Sequence, residues 1–168
     1  MNEKDNIKFD VFIKGDLVDL VVLSEEIVDN SNWYNWFNNE ENTKYMQKHY
    51  FPNTKKLQLD FFKHNIENNE NKLQLGIVHK ADLSFIGIVS LNDIDYINKS
   101  CEVAIIIGEK KFHSLNIFIE SCQSIINHGF KSLGLKKVSS GTFSKDIDSL
   151  FCKILGFKRE GVLKQAVY

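Results

Sequence analysis

Cysteine, proline and a surplus of charge of either sign are all scarce in this 168-residue chain. The three cysteines (Cys101, Cys122 and Cys152) are widely spaced and include no CxxC pair, which argues against a disulfide framework or a zinc site. A reduced, cytoplasmic protein is the economical expectation. The five histidines (His49, His64, His79, His113 and His128) show no HxxxH or similar ligand spacing, so no metal is expected. Lys and Arg number 21 against 22 Asp and Glu, a net charge of −1. That balance gives no global attraction to nucleic acid or to an anionic membrane, and neither is expected as a partner. An anionic ligand would have to be caught by a local arrangement. No apolar run approaches the ~20 residues that span a bilayer, and the opening MNEKDNIKFDVF has no signal-type apolar core.

What the chain does contain is a change of hydrophobic period along its length. The first residues, ending in Gly15-Asp16, read as a lead-in strand and turn, and Leu17 to Leu23 as a β-branched strand. Ser24 is placed to cap a short helix. Trp33, Trp36 and Phe37 fall at helical spacing, Lys44 to Tyr50 reads as extended, and an amphipathic helix follows Pro52, the only proline. Leu73–His79, Phe85–Leu91 and Cys101–Ile107 read as three antiparallel strands, with a turn at Ala81-Asp82 and a polar connection over 92–99. Leu115, Phe118, Ile119, Cys122, Ile125, Ile126 and Phe130 then mark a long helix, for which Gly134 is the left-handed terminator. A strand over Leu135–Phe143, a helix starting at Ser144 and ending at Gly156, and a last strand from Phe157 complete a single α/β (α+β) domain over 1–168.

The order β-β-β-turn-α-β-α-β carries a set of short motifs. They are Trp33-x-x-Trp36 before Thr43-Lys44-Tyr45-Met46, Phe85-Ile86-Gly87-Ile88, Glu102 before Ile107-Gly108-Glu109-Lys110, Gly134-Leu135-Lys136-Lys137-Val138, and Leu155-Gly156-Phe157. In this order and spacing the chain from Leu17 onward resembles the GNAT superfamily. The similarity leans to its bacterial branch acting on ribosomal-protein N-termini and nucleotide-activated aminosugars. The resemblance implies a mixed, mainly antiparallel central sheet flanked by helices, splayed open beside the strand that ends at Ile107. It also implies acetyl-CoA as cosubstrate and a small-molecule or peptide amine as acceptor.

On that reading, Ala104, Ile105, Ile106 and Ile107 would pair with the pantetheine arm, and a backbone N–H near Ile105 would serve an oxyanion. The turn over Lys111, Ser114, Leu115 and Asn116 would hold the pyrophosphate at a helix N-terminus, helped by the charge of Lys110 and Lys111. Glu102 is either the base that deprotonates the amine, its pKa raised by partial burial, or a solvent-facing residue of an alternating strand. Trp33 and Trp36 either wall the acceptor cleft or pack in the core, with Tyr45 in the Thr43–Met46 stretch continuing its floor and His49-Tyr50 beyond it.

Several positions depart from the family pattern. Ser114, Asn116 and Phe118 stand where small residues, mostly glycines, are expected in the phosphate turn. Cys152 stands where a tyrosine commonly protonates the leaving thiolate, and would be that acid or a structural thiol. Lys145 replaces a frequent asparagine and would touch a phosphate or remain solvated. The sequence stops at Tyr168, before the family's usual last strand; an edge left open there would favour pairing with another chain, a homodimer being the simplest case. The reading that follows is direct N-acetyl transfer to a primary amine. The alternative is a catalytically inactive binding module on the same fold.

Overall fold

A computed structural model describes residues 7–44, 46 and 50–164 of the chain. Its strands form one six-stranded sheet in simple sequence order: β1 (Val11–Ile13), β2 (Val18–Val22), β3 (Leu73–His79), β4 (Ser84–Asp95), β5 (Ser100–Ile107) and β6 (Lys137–Ser139). Each neighbouring pair is antiparallel except β5 and β6. The parallel pair requires a crossover, which α5 (Leu115–Lys131) supplies.

Helix α5 forms where the apolar period becomes helical, and it lays Ile117, Cys122 and Ile125 against one face of the sheet. Val18, Leu20, Leu75, Ile77, Val89, Leu91 and Val103 meet it there, together with Phe151 of α6 (Lys145–Lys153). Burying each large aliphatic side chain in such a layer contributes about 1.5–3 kcal/mol. Phe118 belongs to this layer too, its ring edge-on to Phe151 at 5.8 Å. Gly134 adopts φ +67° after α5, and the Leu135 N–H turns back to the Gly129 carbonyl at 3.0 Å. After α6, Gly156 at φ +76° repeats the device, Phe157 bonding to Phe151.

The opposite face is covered by α1 (Glu25–Asn30), α2 (Trp33–Trp36), α3 (Glu40–Thr43) and α4 (Lys55–Asn65). Ser24 caps α1 through the Ile27 N–H as expected, and Thr54 caps α4 through Leu57. Ile27, Val28, Trp33, Trp36 and Phe62 pack there on Val21, Val78, Ile88 and Ile106.

Four sequence expectations are corrected. Lys44 is αR and the Met46 N–H bonds to the Thr43 carbonyl at 2.7 Å, so the described part of 44–50 begins as a turn rather than a strand. Tyr45 and His49 lie outside the described residues. Strand β4 continues through Asn92 to Asp95 because β5 pairs with it across an irregularity, with Asp93 at φ +50°. Strand β6 is three residues long, not nine. Phe157 begins no strand among the described residues; its ring instead packs edge-on against Phe151 at 4.9 Å.

Candidate active site

The site is built around the place where β5 and β6 part. Their pairing is confined to Ser100–Glu102 against Lys137–Ser139. From Val103 onward β5 keeps its bonds to β4 but, among the described residues, runs beside no partner strand on its other side. Which backbone groups face that open edge follows from strand alternation. The Cys101 carbonyl accepts from Ser139 Oγ at 3.1 Å and so faces β6, while the Gly108 N–H faces β4, donating to Ile86 at 2.8 Å. Ile105 and Ile107 therefore present N–H and C=O to the open edge and Val103 its C=O, the Val103 N–H closing the last parallel bridge at Glu102–Ser139; Ala104 and Ile106 turn theirs to β4. His113 Nε2 donates to the Ile107 carbonyl at 2.9 Å and closes the far end.

Beyond Ile107 the chain makes a single 3₁₀ turn over Lys110–Phe112 and enters α5. Ser114 is the N-cap residue, but its side chain makes no capping bond. The N–H groups of Leu115, Asn116 and Ile117 accordingly have no intrahelical acceptor, and the positive end of a 17-residue helix points out between them. Ser114, Leu115 and Asn116 are exposed. Phe118 does not obstruct this turn, since its ring lies in the core below.

Both expected lysines already have partners. Lys110 Nζ pairs with Glu41 at 2.9 Å, and that pairing lowers the Glu41 carboxyl below its ordinary range. Lys111 Nζ lies 3.9 Å from Asp82 and 4.5 Å from the Phe112 ring centroid. Asp82 in turn accepts from His79 at 2.9 Å, which holds its pKa down. Exposed pairs of this kind are worth little and exchange readily for a stronger anion. Lys145 is exposed at the start of α6.

Glu102 projects from the β5 face opposite α5 and is exposed, so the partial burial expected of it is not there. Its cross-strand neighbour is Asn92, whose Oδ1 is buried without a hydrogen-bond partner. With Ser90 and Gln74, paired in register across β4 and β3, Asn92 makes the sheet polar beside Glu102. The sequence placed Asn92 in a connection, and only its pairing puts it opposite Glu102.

Cys152 is half-buried on α6, its thiol donating to Asp148 Oδ1 at 3.8 Å. Asp148 also holds Arg159, and that bond keeps the carboxyl below its usual range. No described contact joins Cys152 to Glu102.

Of the two alternatives for the tryptophans, the structure shows core packing. Trp33 is 0% and Trp36 2% exposed. Phe85 stacks on Trp36 at 5.2 Å and meets Trp33 edge-on at 6.3 Å. Trp36 lies flat on Gly108, where any Cβ would overlap its ring, and donates Nε1 to Glu109 at 2.9 Å. Asn42 of α3 adds a bond to the Gly108 carbonyl at 3.1 Å. The tryptophans thus brace the end of β5 rather than wall a cleft. Tyr45, the third expected acceptor residue, is outside the described residues.

Among the described residues no group of three or more His, Cys, Asp or Glu could hold a metal, and no helix is long and apolar enough to cross a membrane.

An open parallel edge running into an uncapped helix N-terminus, on a mostly antiparallel sheet, is the arrangement the sequence resemblance implied. The family comparison agrees: the acetyltransferase (GNAT) domain model matches residues 20–158, and the chain belongs to that family. A curated relative in Bacillus subtilis (strain 168), "Putative ribosomal N-acetyltransferase YdaF", is 25% identical over 99 residues, 58% of this chain. That match spans about half (52%) of the relative's length. Among solved structures, the microcin self-immunity acetyltransferase MccE, in complex with acetyl-CoA and AMP, has a TM-score of 0.76 at 22% identity, covering 92% of this chain and 86% of that one. A spermidine N-acetyltransferase SpeG chimera from Vibrio cholerae and hSSAT has a TM-score of 0.75 at 19% identity, covering 91% and 87%. At these identities the structural likeness concerns the fold.

Proposed function

We propose that this chain transfers an acetyl group from acetyl-CoA directly to a primary amine, within a ternary complex. The observation that carries this is the open β5 edge leading into the uncapped start of α5. Ile105 offers N–H and C=O groups for a strand-like ligand, Val103 its C=O, and the first turn of α5 offers N–H groups for its phosphates. Lys111 leaves Asp82 to meet a phosphate, and Lys145 approaches from α6.

Bound acetyl-CoA would supply the activated acyl thioester. The chain's residues do the rest. Glu102 takes the proton from the attacking amine, directly or through a water. Its carboxyl is exposed here, so the acceptor itself would provide the desolvation that makes it a stronger base. The Ile105 N–H is the donor available to the acyl oxygen as it gains charge. Cys152 returns a proton to the leaving thiolate. The family reading makes the acceptor an amine of a nucleotide-linked sugar or of a protein N-terminus.

The test is a thermal melt of the chain with acetyl-CoA, followed by release of free CoA in the presence of candidate amines. At 100 times its Kd the cosubstrate should stabilise by ~2.7 kcal/mol. No shift at millimolar acetyl-CoA would favour the inactive binding module instead.

A further inference from the structure

We propose that Asn92 is a positioning residue of the acyl transfer: its Oδ1 receives the carboxylic O–H that Glu102 acquires on taking the acceptor's proton. The inference rests on the reading of Glu102 as the base. Asn92 and Glu102 are Cα partners across β4 and β5. Such partners share one face of the sheet with Cβ atoms about 4.5–5.5 Å apart, within the reach of a glutamate side chain. Asn92 Oδ1 is buried and accepts no hydrogen bond. Ser90, on the same face of β4, does not fill it, and neither does Gln74 beside Ser90. A buried acceptor left without a donor is costly, and a native structure keeps one for a reason.

The ionised form of Glu102 has no hydrogen to give. Its oxygens only accept, so it faces Oδ1 as one acceptor faces another. Glu102 Oε1 stands 3.8 Å from the position that a Cβ on Gly141 would take, in the loop after β6. The carboxylate therefore reaches to the β6 side of its strand, where the edge opens and an amine would meet it. Strand β4 loses its regular pairing just past Asn92, where Asp93 has φ +50°. Irregularities of this kind re-aim the side chains beside them.

The attacking nitrogen forms its bond to the acyl carbon and gives a proton to Glu102. The carboxylate becomes a carboxylic acid with one hydrogen to donate, and turning it to Asn92 Oδ1 satisfies the buried acceptor. That bond is absent while Glu102 is ionised and forms as the proton arrives, so it favours the transition state over the ground state. The charged side chains nearest in register are already engaged. Lys137, a partner of Ser100 and so on this face, pairs with Glu160 at 3.0 Å. Asp95, the other partner of Ser100, accepts from the Ile97 and Asn98 N–H groups.

The first measurement needs no substrate. The Asn92 carboxamide and the Glu102 carboxyl are followed by NMR in the full chain as pH falls. Asn92 Cγ should shift together with Glu102 Cδ, and the response should vanish in Glu102→Gln. A flat Asn92 Cγ through the protonation of Glu102 would overturn the proposal. So would a response of the Nδ2 protons alone, because the amide would then offer its donors to the ionised carboxylate. Asn92→Ala is the functional probe, read by CoA release from acetyl-CoA with glycinamide and glucosamine as amines. It should lower kcat about 3- to 10-fold, the worth of one hydrogen bond, and leave KM for acetyl-CoA unchanged. In a Glu102→Gln background the same alanine should change kcat by less than about twofold. An equal loss in both backgrounds is what a merely structural role gives, and it would overturn the proposal; a melt of each variant verifies folding. A coupled NMR response in a chain that neither binds acetyl-CoA nor releases CoA keeps the pair and removes the acetyl-transfer reading. Turnover with an unresponsive Asn92 removes only the pair.

Discussion

Replacing Gly108 with alanine tests the joint between core and site most sharply. Gly108 has an ordinary backbone conformation, so a methyl group there is a question of space alone. That space is taken by the Trp36 ring, whose Cδ2, Cγ and Cε2 atoms all lie inside contact distance of the new carbon. Relief requires the indole to withdraw by more than about 1 Å to restore a normal ~3.5 Å carbon contact. Trp36 is 2% exposed and stacked on Phe85, so it has nowhere to withdraw without disturbing its neighbours. Its bond to Glu109 at 2.9 Å would lengthen as well. Overpacking of this kind costs about 1–3 kcal/mol and a lost bond to a charged group about 1.5–3. We expect about 3 kcal/mol in total, a fall in Tm of about 6–12 °C for a chain of this size. Urea unfolding with tryptophan fluorescence measures both the loss and the moved indole. In a Trp36→Leu background the same alanine should cost less than about 1 kcal/mol, because the obstacle is gone. An alanine tolerated within ~0.5 kcal/mol in the wild-type background, with an unchanged spectrum, would refute the close approach.

Other outcomes are expected on the same reasoning. Glu102→Gln should lower kcat by ~10²–10⁴ and leave acetyl-CoA binding unchanged, and unaltered turnover would remove Glu102 as the base. Glu120 on α5 accepts backbone N–H bonds from Asp16 at 2.6 Å, Leu17 at 2.9 Å and Val18 at 3.3 Å, tying the β1–β2 turn to the helix. Glu120→Ala should cost about 2 kcal/mol in urea unfolding, and no loss would mean that water replaces the carboxylate freely. Burial pushes the Cys101 thiol up to about 11 and Cys122 up to about 12 from the ordinary 9.0. At pH 8 a thiol reagent should therefore modify Cys152 alone until the chain is unfolded. The native state keeps thiol protons that the unfolded chain releases, so stability should fall as pH rises from about 9 toward 11–12. A flat alkaline profile would show that these thiols are not desolvated.

Legibility in the sequence followed the range of the interactions involved. Strand β3 and helix α5 were readable because their apolar periods are local and unbroken. The caps at Ser24 and Ser144 and the left-handed glycines at 134 and 156 are equally local, each deciding one turn of backbone. Strand β4 was cut short because Asn92, Asp93 and Asp95 look like loop residues, and it is the long-range pairing of Asn92 and Asp95 with β5, across the irregularity at Asp93, that carries the strand on. The tryptophans fell at helical spacing, yet nothing nearby in sequence shows that Trp36 lies on Gly108, 72 residues away, and so belongs to the core. The divergence of β5 from β6 is likewise a long-range result. It follows from β6 lasting three residues, whereas Leu135–Phe143 had the composition of a longer strand.

The central claim concerns which backbone groups the cosubstrate meets, and amide hydrogen exchange reads them one by one. Acetyl-CoA should slow exchange at Ile105 on the open edge and at Leu115, Asn116 and Ile117 in the first turn of α5. Ala104 and Ile106, whose N–H groups face β4, should exchange as before. Unchanged exchange at Ile105 and Asn116 under saturating acetyl-CoA would contradict the assignment of this edge and this helix start as its binding place.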